Sequence, residues 1–308
     1  VNTTQMHTHV QEYLRLRRVL GFKLAWPGHI LPQFVDYLAD TGSETITVEA
    51  AIAWAGLRRD VCAVTLSHRL GAVRGFARYL ASIDPATEIP PLGVFGKQQR
   101  RIPFIYSPEQ IRLLVAAAGQ LCPPLRAATF QALLGLLSVS GMRVGEALRL
   151  SRRDVDLTAG VICVRHPKFD RERLVPLHPS STEALRRYIA GRDRLCPNPG
   201  TEMFFSSDTG SALRYEFVRL TFVTVLETAG FPTTAGSRPR IHDLRHAMVV
   251  NTLIDWQRDG VDIAAGLQVL STYLGHVSPA STHWYISAVP ELMQLAAAGL
   301  DRRSGGRS

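Results

Sequence analysis

Lysine is nearly missing from this chain. Of the 35 basic residues among its 308, only Lys23, Lys97 and Lys168 are lysines, and the other 32 are arginines. Lys168 is therefore the sole lysine of the second half, and its presence there asks for a reason. Cysteine is scarce as well: Cys62, Cys122, Cys163 and Cys196 lie far apart without a CxxC pair. That excludes the usual zinc-finger spacings and supplies no disulfide framework. No apolar run approaches the length that spans a bilayer. The opening VNTTQMHTHV is polar and lacks the basic-then-apolar order of a secretory signal, so a cytoplasmic location and no membrane partner are expected. The phosphate loop GxxxxGK[ST] is absent too, which leaves nothing in the sequence that asks for ATP.

What is present suits a globular protein. Hydrophobic residues make up 46% and charged ones 20%, enough for one large domain or two modest ones. The net charge is +9. Up to residue 103 there are 12 basic against 8 acidic residues, a net of +4; beyond it there are 23 against 18, a net of +5. Basicity is spread over both parts, as suits a protein that grips a polyanion from two sides.

Periodicity predicts four helices in the first part. HVQEYLRLRRVLG sets Val10, Leu14 and Leu20 on one side and stops at Gly21, and HILPQFVDYLADTG sets Ile30, Phe34, Tyr37 and Leu38 at helical spacing. Thr47 precedes VEAAIAWAGL as a cap. In SHRLGAVRGFARYLASI the buried stripe is Leu70, Val73, Phe76, Ala77 and Leu80, which leaves Arg69, Arg74 and Arg78 for solvent or phosphate. Residues 86–103, ATEIPPLGVFGKQQRRIP, carry three prolines, two glycines and the basic residues Lys97, Arg100 and Arg101, and read as a linker. Beyond it, Ser107-Pro108-Glu109-Gln110 marks a capped helix start, PLRAATFQALLGLLSVS is a long apolar helix, and GVICVRHPKFDRERLVPL alternates as a β-hairpin broken at Pro167-Lys168-Phe169-Asp170. The class is mainly α with a small antiparallel β-sheet.

Five places carry chemical side chains, and each has a plain alternative. Arg143 follows Ser140-Gly141 at the mouth of a short helix with Glu146 one turn on; an exposed i,i+3 ion pair reads the same way. His242 and Arg245 in IHDLRHAMVV share a helical face while Ile241, Leu244 and Met248 face inward, and two polar side chains turned to water would read the same way. A metal site at His242 and His246 lacks the glutamate of HExxH. Lys168 suits a solvated hairpin tip, His276 a cap, and Tyr285 a core aromatic.

Their joint order changes the reading. Arg, Lys, His-x-x-Arg and Leu-Gly-His, with a tyrosine nine residues later and Lys168 eight residues before the proline of LVPL, resembles the tyrosine recombinases of the phage integrase family. The likeness runs over residues 104–296, and the first unit, with its RLGAVRGFARYL, looks like that family's core-binding domain. The resemblance implies a helical, SAM-like DNA-binding domain over residues 1–85, a linker over 86–103 and a mixed α/β catalytic domain over 104–308. It implies a site-specific recombinase, of a mobile element by the look of its N-terminal helices, acting on double-stranded DNA at specific sites as a homo-tetramer on paired sites, with no cofactor and no metal. Tyr285 would be the nucleophile that forms a 3′-phosphotyrosine. Arg143 and Arg245 would fork onto the non-bridging oxygens. His276 would add a hydrogen bond, and His242 would assist proton transfer from the phenol. Glu146 would orient the site from behind, while Arg69, Arg74, Arg78, Arg100 and Arg101 would meet DNA.

Lys168 has a reason of its own. An arginine cannot readily release a proton to the leaving 5′-oxygen, whereas a lysine, with a reference pKa of ~10.4, can. Two alternatives stand beside the recombinase: a type IB topoisomerase-like relaxing enzyme with the same chemistry, and a DNA-binding accessory factor that has lost catalysis. After Pro290, Leu292, Met293 and Ala296 share a helical face with Val289. That segment is expected either to pack on its own domain or to dock on a neighbouring copy.

Overall fold

The computed structural model describes residues 3–58, 61–96, 101–166, 171–232 and 238–275, in two compact units, Val1–Arg101 and Ile102–Ser308. In the first, the predicted helices form: α1 (Thr3–Val19), α2 (Ala25–Asp40), α3 (Val48–Gly56) and α4 (Ala63–Leu80). Their apolar stripes make one core around Leu14, Leu31, Phe34, Trp54, Val73 and Phe76. Full burial of each such side chain contributes about 1.5–3 kcal/mol. Thr47 caps α3, its Oγ1 accepting from the Ala50 amide at 3.1 Å. Leu20 departs from the expected stripe, because α1 ends at Val19 and leaves it exposed beyond the helix.

Two of the arginines expected to face solvent or phosphate do something else. Arg69 is only 7% exposed. Its guanidinium lies 3.9 Å from the centroid of the Trp54 ring and donates to the Trp54 carbonyl at 3.1 Å. The residue adjoins the buried stripe of α4, where a flat, weakly hydrated cation can cover an indole face. Arg74 donates to the carbonyls of Pro90 and Pro91 at 2.7 and 2.6 Å. Glu88 accepts from the Val48 amide at 2.6 Å. The first part of the stretch read as a linker is thus fastened to the N-terminal unit by the Pro90 and Pro91 carbonyls and the Glu88 carboxylate. Arg78 and Arg101 are exposed, and Arg100 lies outside the described residues.

The second unit opens with α5 (Pro108–Ala118) behind the expected capping box of Ser107 and Gln110. The apolar α6 (Pro124–Ser140) is its central post. A short α7 (Val144–Ala147) leads to β1 (Val155–Asp156), β2 (Val161–His166) and β3 (Arg171–Pro176), an antiparallel sheet in that order. β1 is an addition to the predicted hairpin, pairing Val155 with Ile162. Then come α8 (Pro179–Leu195), α9 (Tyr215–Thr228), α10 (Asp243–Arg258) and α11 (Ile263–Leu274). Phe130, Leu133 and Leu137 of α6 share one core with Ile162, Val164 and Val175 of the sheet and with Tyr188, Phe204 and Val225. α10 and α11 close a second cluster through Val250, Leu253, Leu270 and Leu274.

Candidate active site

The site is built where α6 ends. Gly141 takes φ +59° as the left-handed residue that stops the helix. A Cβ there would come 3.0 Å from Leu274 and 3.1 Å from the Met248 sulfur. Glycine is required twice over, for the turn and for the close approach of α10 and α11. The chain leaves Gly141 through Met142 into Arg143, which precedes α7 in an extended conformation.

Arg245 joins three distant segments. Nη1 donates to the Gly141 carbonyl at 2.5 Å and Nη2 to the Leu274 carbonyl at 2.8 Å. The residue is 2% exposed, so it is not the surface polar group that its sequence context equally allowed. A buried cation is costly unless it is hydrogen-bonded. Here the two carbonyls aim the guanidinium, and they bring the end of α6 and the end of α11 to the start of α10.

Glu146 is also buried, its side chain 1% exposed. Oε1 accepts from Arg143 Nη1 at 2.8 Å and Oε2 from the Arg143 amide at 2.9 Å. This is not an exposed ion pair. Burial alone would raise its pKa, but hydrogen bonds and charge from Arg173 and Arg143 outweigh that and hold the carboxyl at about 2. Arg143 keeps 39% of its side chain exposed, so its fork reaches both Glu146 and the surface.

His242 stands immediately before α10. It is exposed by area, yet enough protein crowds the ring that desolvation, followed by the charges of Arg245 and Arg143, pulls its pKa below 6.5. Its ring meets that of His246 edge-on at 4.9 Å. Among the described residues no group of three or more His, Cys, Asp or Glu is placed to hold a metal ion.

The structure therefore brings Arg143, Glu146, His242 and Arg245 to one place. Lys168, His276 and Tyr285 lie outside the described residues, as does the segment after Pro290. Their neighbours do not: Lys168 falls between His166, which ends β2, and Arg171, which begins β3, and His276 follows Gly275.

Sequence reasoning missed Arg173. It donates to Glu146 through Nη2 at 2.6 Å and Nη1 at 3.3 Å. A Cβ on Gly275 would stand 3.3 Å from its Nη1. A signal was available, because side chains alternate along a strand. Val175 is buried, so Arg173 must share the core face while Leu174, 66% exposed, faces out. A charge at an inward position needs a partner, and Glu146 is that partner.

A profile described as the phage integrase family matches residues 106–291. A protein named as an integrase/recombinase, y4rB of Sinorhizobium fredii (strain NBRC 101917 / NGR234), is 41% identical over 303 residues, covering 96% of each chain. The tyrosine recombinase XerC of Chlamydia caviae is 27% identical over 225 residues, 72% of this chain and 66% of its own. Two solved structures share the fold. The Tn1549 transposon integrase in complex with a circular intermediate DNA has a TM-score of 0.69 at 16% identity, over 96% of this chain and 99% of that one. The XerH recombinase bound to a palindromic difH substrate has 0.67 at 19%, over 96% and 84%. On the extent of that match and the strength of the y4rB likeness, this chain belongs to the phage integrase family, the tyrosine recombinases.

Proposed function

We propose that this recombinase cuts and rejoins double-stranded DNA at specific sites through a phosphotyrosine on Tyr285. The observation that carries the reading is the Arg245 tie. One buried guanidinium fastens the segment that leads to Arg143 and the segment that leads to His276. Among the described residues Arg143, His242 and Arg245 gather around one point, as charge neutralisation on a phosphoryl group demands.

In the proposed step the Tyr285 oxygen attacks phosphorus and the bond from phosphorus to the 5′-oxygen breaks. The phenol proton passes to His242, and Lys168 gives a proton to the departing 5′-oxygen. The product is a 3′-phosphotyrosine, which a 5′-hydroxyl reverses without loss of bond energy. His242 suits its part because its lowered pKa leaves it neutral near pH 7. Arg143 and Arg245 hold the non-bridging oxygens, and His276 adds a donor. Arg78, Arg100 and Arg101 meet phosphates elsewhere on the duplex.

y4rB and y4rE of Sinorhizobium fredii, 41% and 35% identical over most of the chain, are named integrases as well as recombinases, and a mobile element, which must integrate to persist, is the proposed source. Tetramer assembly on paired sites, with the segment after Pro290 docking on a neighbour, completes the reading, and the work is done in the cytoplasm. The test is a nicked suicide duplex carrying the site, whose cleavage traps a denaturant-resistant protein–DNA adduct. The adduct is expected with the native chain and lost in Tyr285→Phe. A Tyr285→Phe protein that still forms it removes Tyr285 as nucleophile.

A further inference from the structure

Resting on that phosphoryl-transfer reading, we propose that Arg173 is a positioning residue for catalysis. It neutralises Glu146 from the core side, so that Glu146 can orient Arg143 without cancelling the charge that Arg143 presents to the phosphate.

The argument is one of charge and of lone pairs. Arg143 against Glu146 alone would be a neutral pair, oriented but spent. With Arg173 added, the cluster holds two cations and one carboxylate, a net of one positive charge. The four hydrogen bonds divide evenly: Oε1 accepts from Arg143 Nη1 at 2.8 Å and Arg173 Nη1 at 3.3 Å, and Oε2 from the Arg143 amide at 2.9 Å and Arg173 Nη2 at 2.6 Å. A carboxylate offers about four lone-pair sites, so this one is fully engaged.

The two arginines are not equivalent. Arg173 approaches with both prongs and its side chain is 13% exposed, whereas Arg143 uses one prong and is 39% exposed. The inward cation is the counter-ion and the outward one is left to face a ligand. The fork geometry of Arg173 suits the first task, since bidentate pairing fixes a carboxylate in plane and angle. Strand register holds Arg173 there: it stands opposite Val164, and Val164 and the next inward residue, Val175, are both buried. Gly275 passes close enough to Arg173 that any side chain would crowd it, so the same residue also bounds the turn that leads into His276.

The experiment is single-turnover cleavage of the suicide duplex by the full chain, with DNA affinity and thermal unfolding measured alongside. Arg173→Ala is expected to cleave roughly 10–100-fold more slowly, the scale lost when a partner that orients a primary group is removed, with affinity nearly unchanged. Adding Glu146→Gln to Arg173→Ala is expected to recover part of that loss, because the uncompensated carboxylate is gone. A purely structural role would make the double variant worse. A duplex with a neutral methylphosphonate at the scissile position should shrink the deficit of Arg173→Ala as it shrinks that of Arg143→Ala. If Arg173→Ala does not fold, Arg173→Gln carries the same comparisons, since it removes the charge while keeping a side chain that can donate to Glu146. Wild-type cleavage by the Arg173 variant, a double variant slower than the single, or a deficit that persists on methylphosphonate while that of Arg143→Ala shrinks would each overturn the proposal. A native chain that forms no adduct sinks the phosphoryl-transfer reading and this inference with it, whereas a working native chain with an indifferent Arg173→Ala sinks the inference alone.

Discussion

Arg245 donates from Nη1 to the backbone carbonyl of Gly141, 104 positions earlier in the chain. Two side-chain families of the sequence, Gly-x-Arg and His-x-x-Arg, thus meet through a main-chain oxygen and not through a second side chain. The sequence pattern of charged residues does not announce such a bond.

That bond separates the two arginines experimentally. Arg143→Ala is expected to lower cleavage roughly 10²–10³-fold, as removal of one preorganised donor does, with only a modest loss of stability, since Glu146 keeps the Arg173 fork and the Arg143 amide. Arg245→Ala should lose cleavage as steeply and stability as well, because two buried carbonyls lose their donors at about 1–3 kcal/mol each. Denaturant titration beside adduct formation reads both. Equal stability of the two variants would remove the structural half of the Arg245 role.

Gly141 gives a purely steric prediction. Gly141→Ala puts a Cβ at 3.0 Å from Leu274 on a backbone with φ +59°. Strain of this kind costs about 1–3 kcal/mol, so the midpoint of unfolding should fall and adduct formation with it. An alanine variant as stable as the native chain would show that α11 gives way without resistance.

Helical spacing and capping made most of the fold legible: the Phe76 stripe, the Thr47 and Ser107 caps and the extent of α6 all read directly from the sequence. Arg69 and Arg173 did not, for one shared reason. Arg69 lies at the edge of an apolar helical stripe and Arg173 on a charge-rich strand, and each is buried because a partner elsewhere along the chain, Trp54 or Glu146, covers it. Local pattern assigns charge to the surface by default; the pairing that overrides it is non-local. β1 escaped likewise, since two residues carry no periodicity.

Arg69 and Arg78 should therefore part company in DNA binding. Arg78, exposed on α4, is expected to reduce the slope of log affinity against log salt by about 1 when changed to Ala, as loss of one phosphate contact does. Arg69→Ala should leave that slope unchanged and lower the stability of the N-terminal unit, since it uncovers Trp54. The reverse pattern would restore Arg69 to the DNA surface.

Glu146 sets an acid limit. Its carboxyl is held at about 2 against an ordinary 4.5. A depressed carboxyl contributes stability that is complete above the unfolded value and drains away as pH falls towards the folded one. The window is therefore from about pH 4.5 down to about pH 2, and the stake is on the order of 3 kcal/mol. Stability measured across it should fall more steeply for the native chain than for Glu146→Gln. Parallel curves would show that Glu146 does not carry the linkage.

His242 sets a kinetic limit on the same side of neutrality. Crowding by protein, then the positive charges of Arg245 and Arg143, lower its pKa from 6.5. Both causes disfavour the imidazolium, so the neutral ring persists to lower pH than a free histidine would allow. If the ring accepts the proton of Tyr285, the rate constant for free protein and DNA should be flat near pH 7 and decline on the acid side with a midpoint below 6.5, because that parameter reports the unliganded protein. His242→Gln removes the acceptor, so it should be slower throughout and lose the acid limb. Arg143→Ala takes away one of the three cations, Arg245, Arg143 and Arg240, that depress the ring, and should move the midpoint upward while lowering the plateau. Single-turnover adduct formation between pH 5 and 8, at fixed ionic strength, reads all three profiles. A midpoint above 6.5 in the native chain, or an acid limb that survives in His242→Gln, would assign the proton to a different group and leave His242 only as a neighbour of the phosphate.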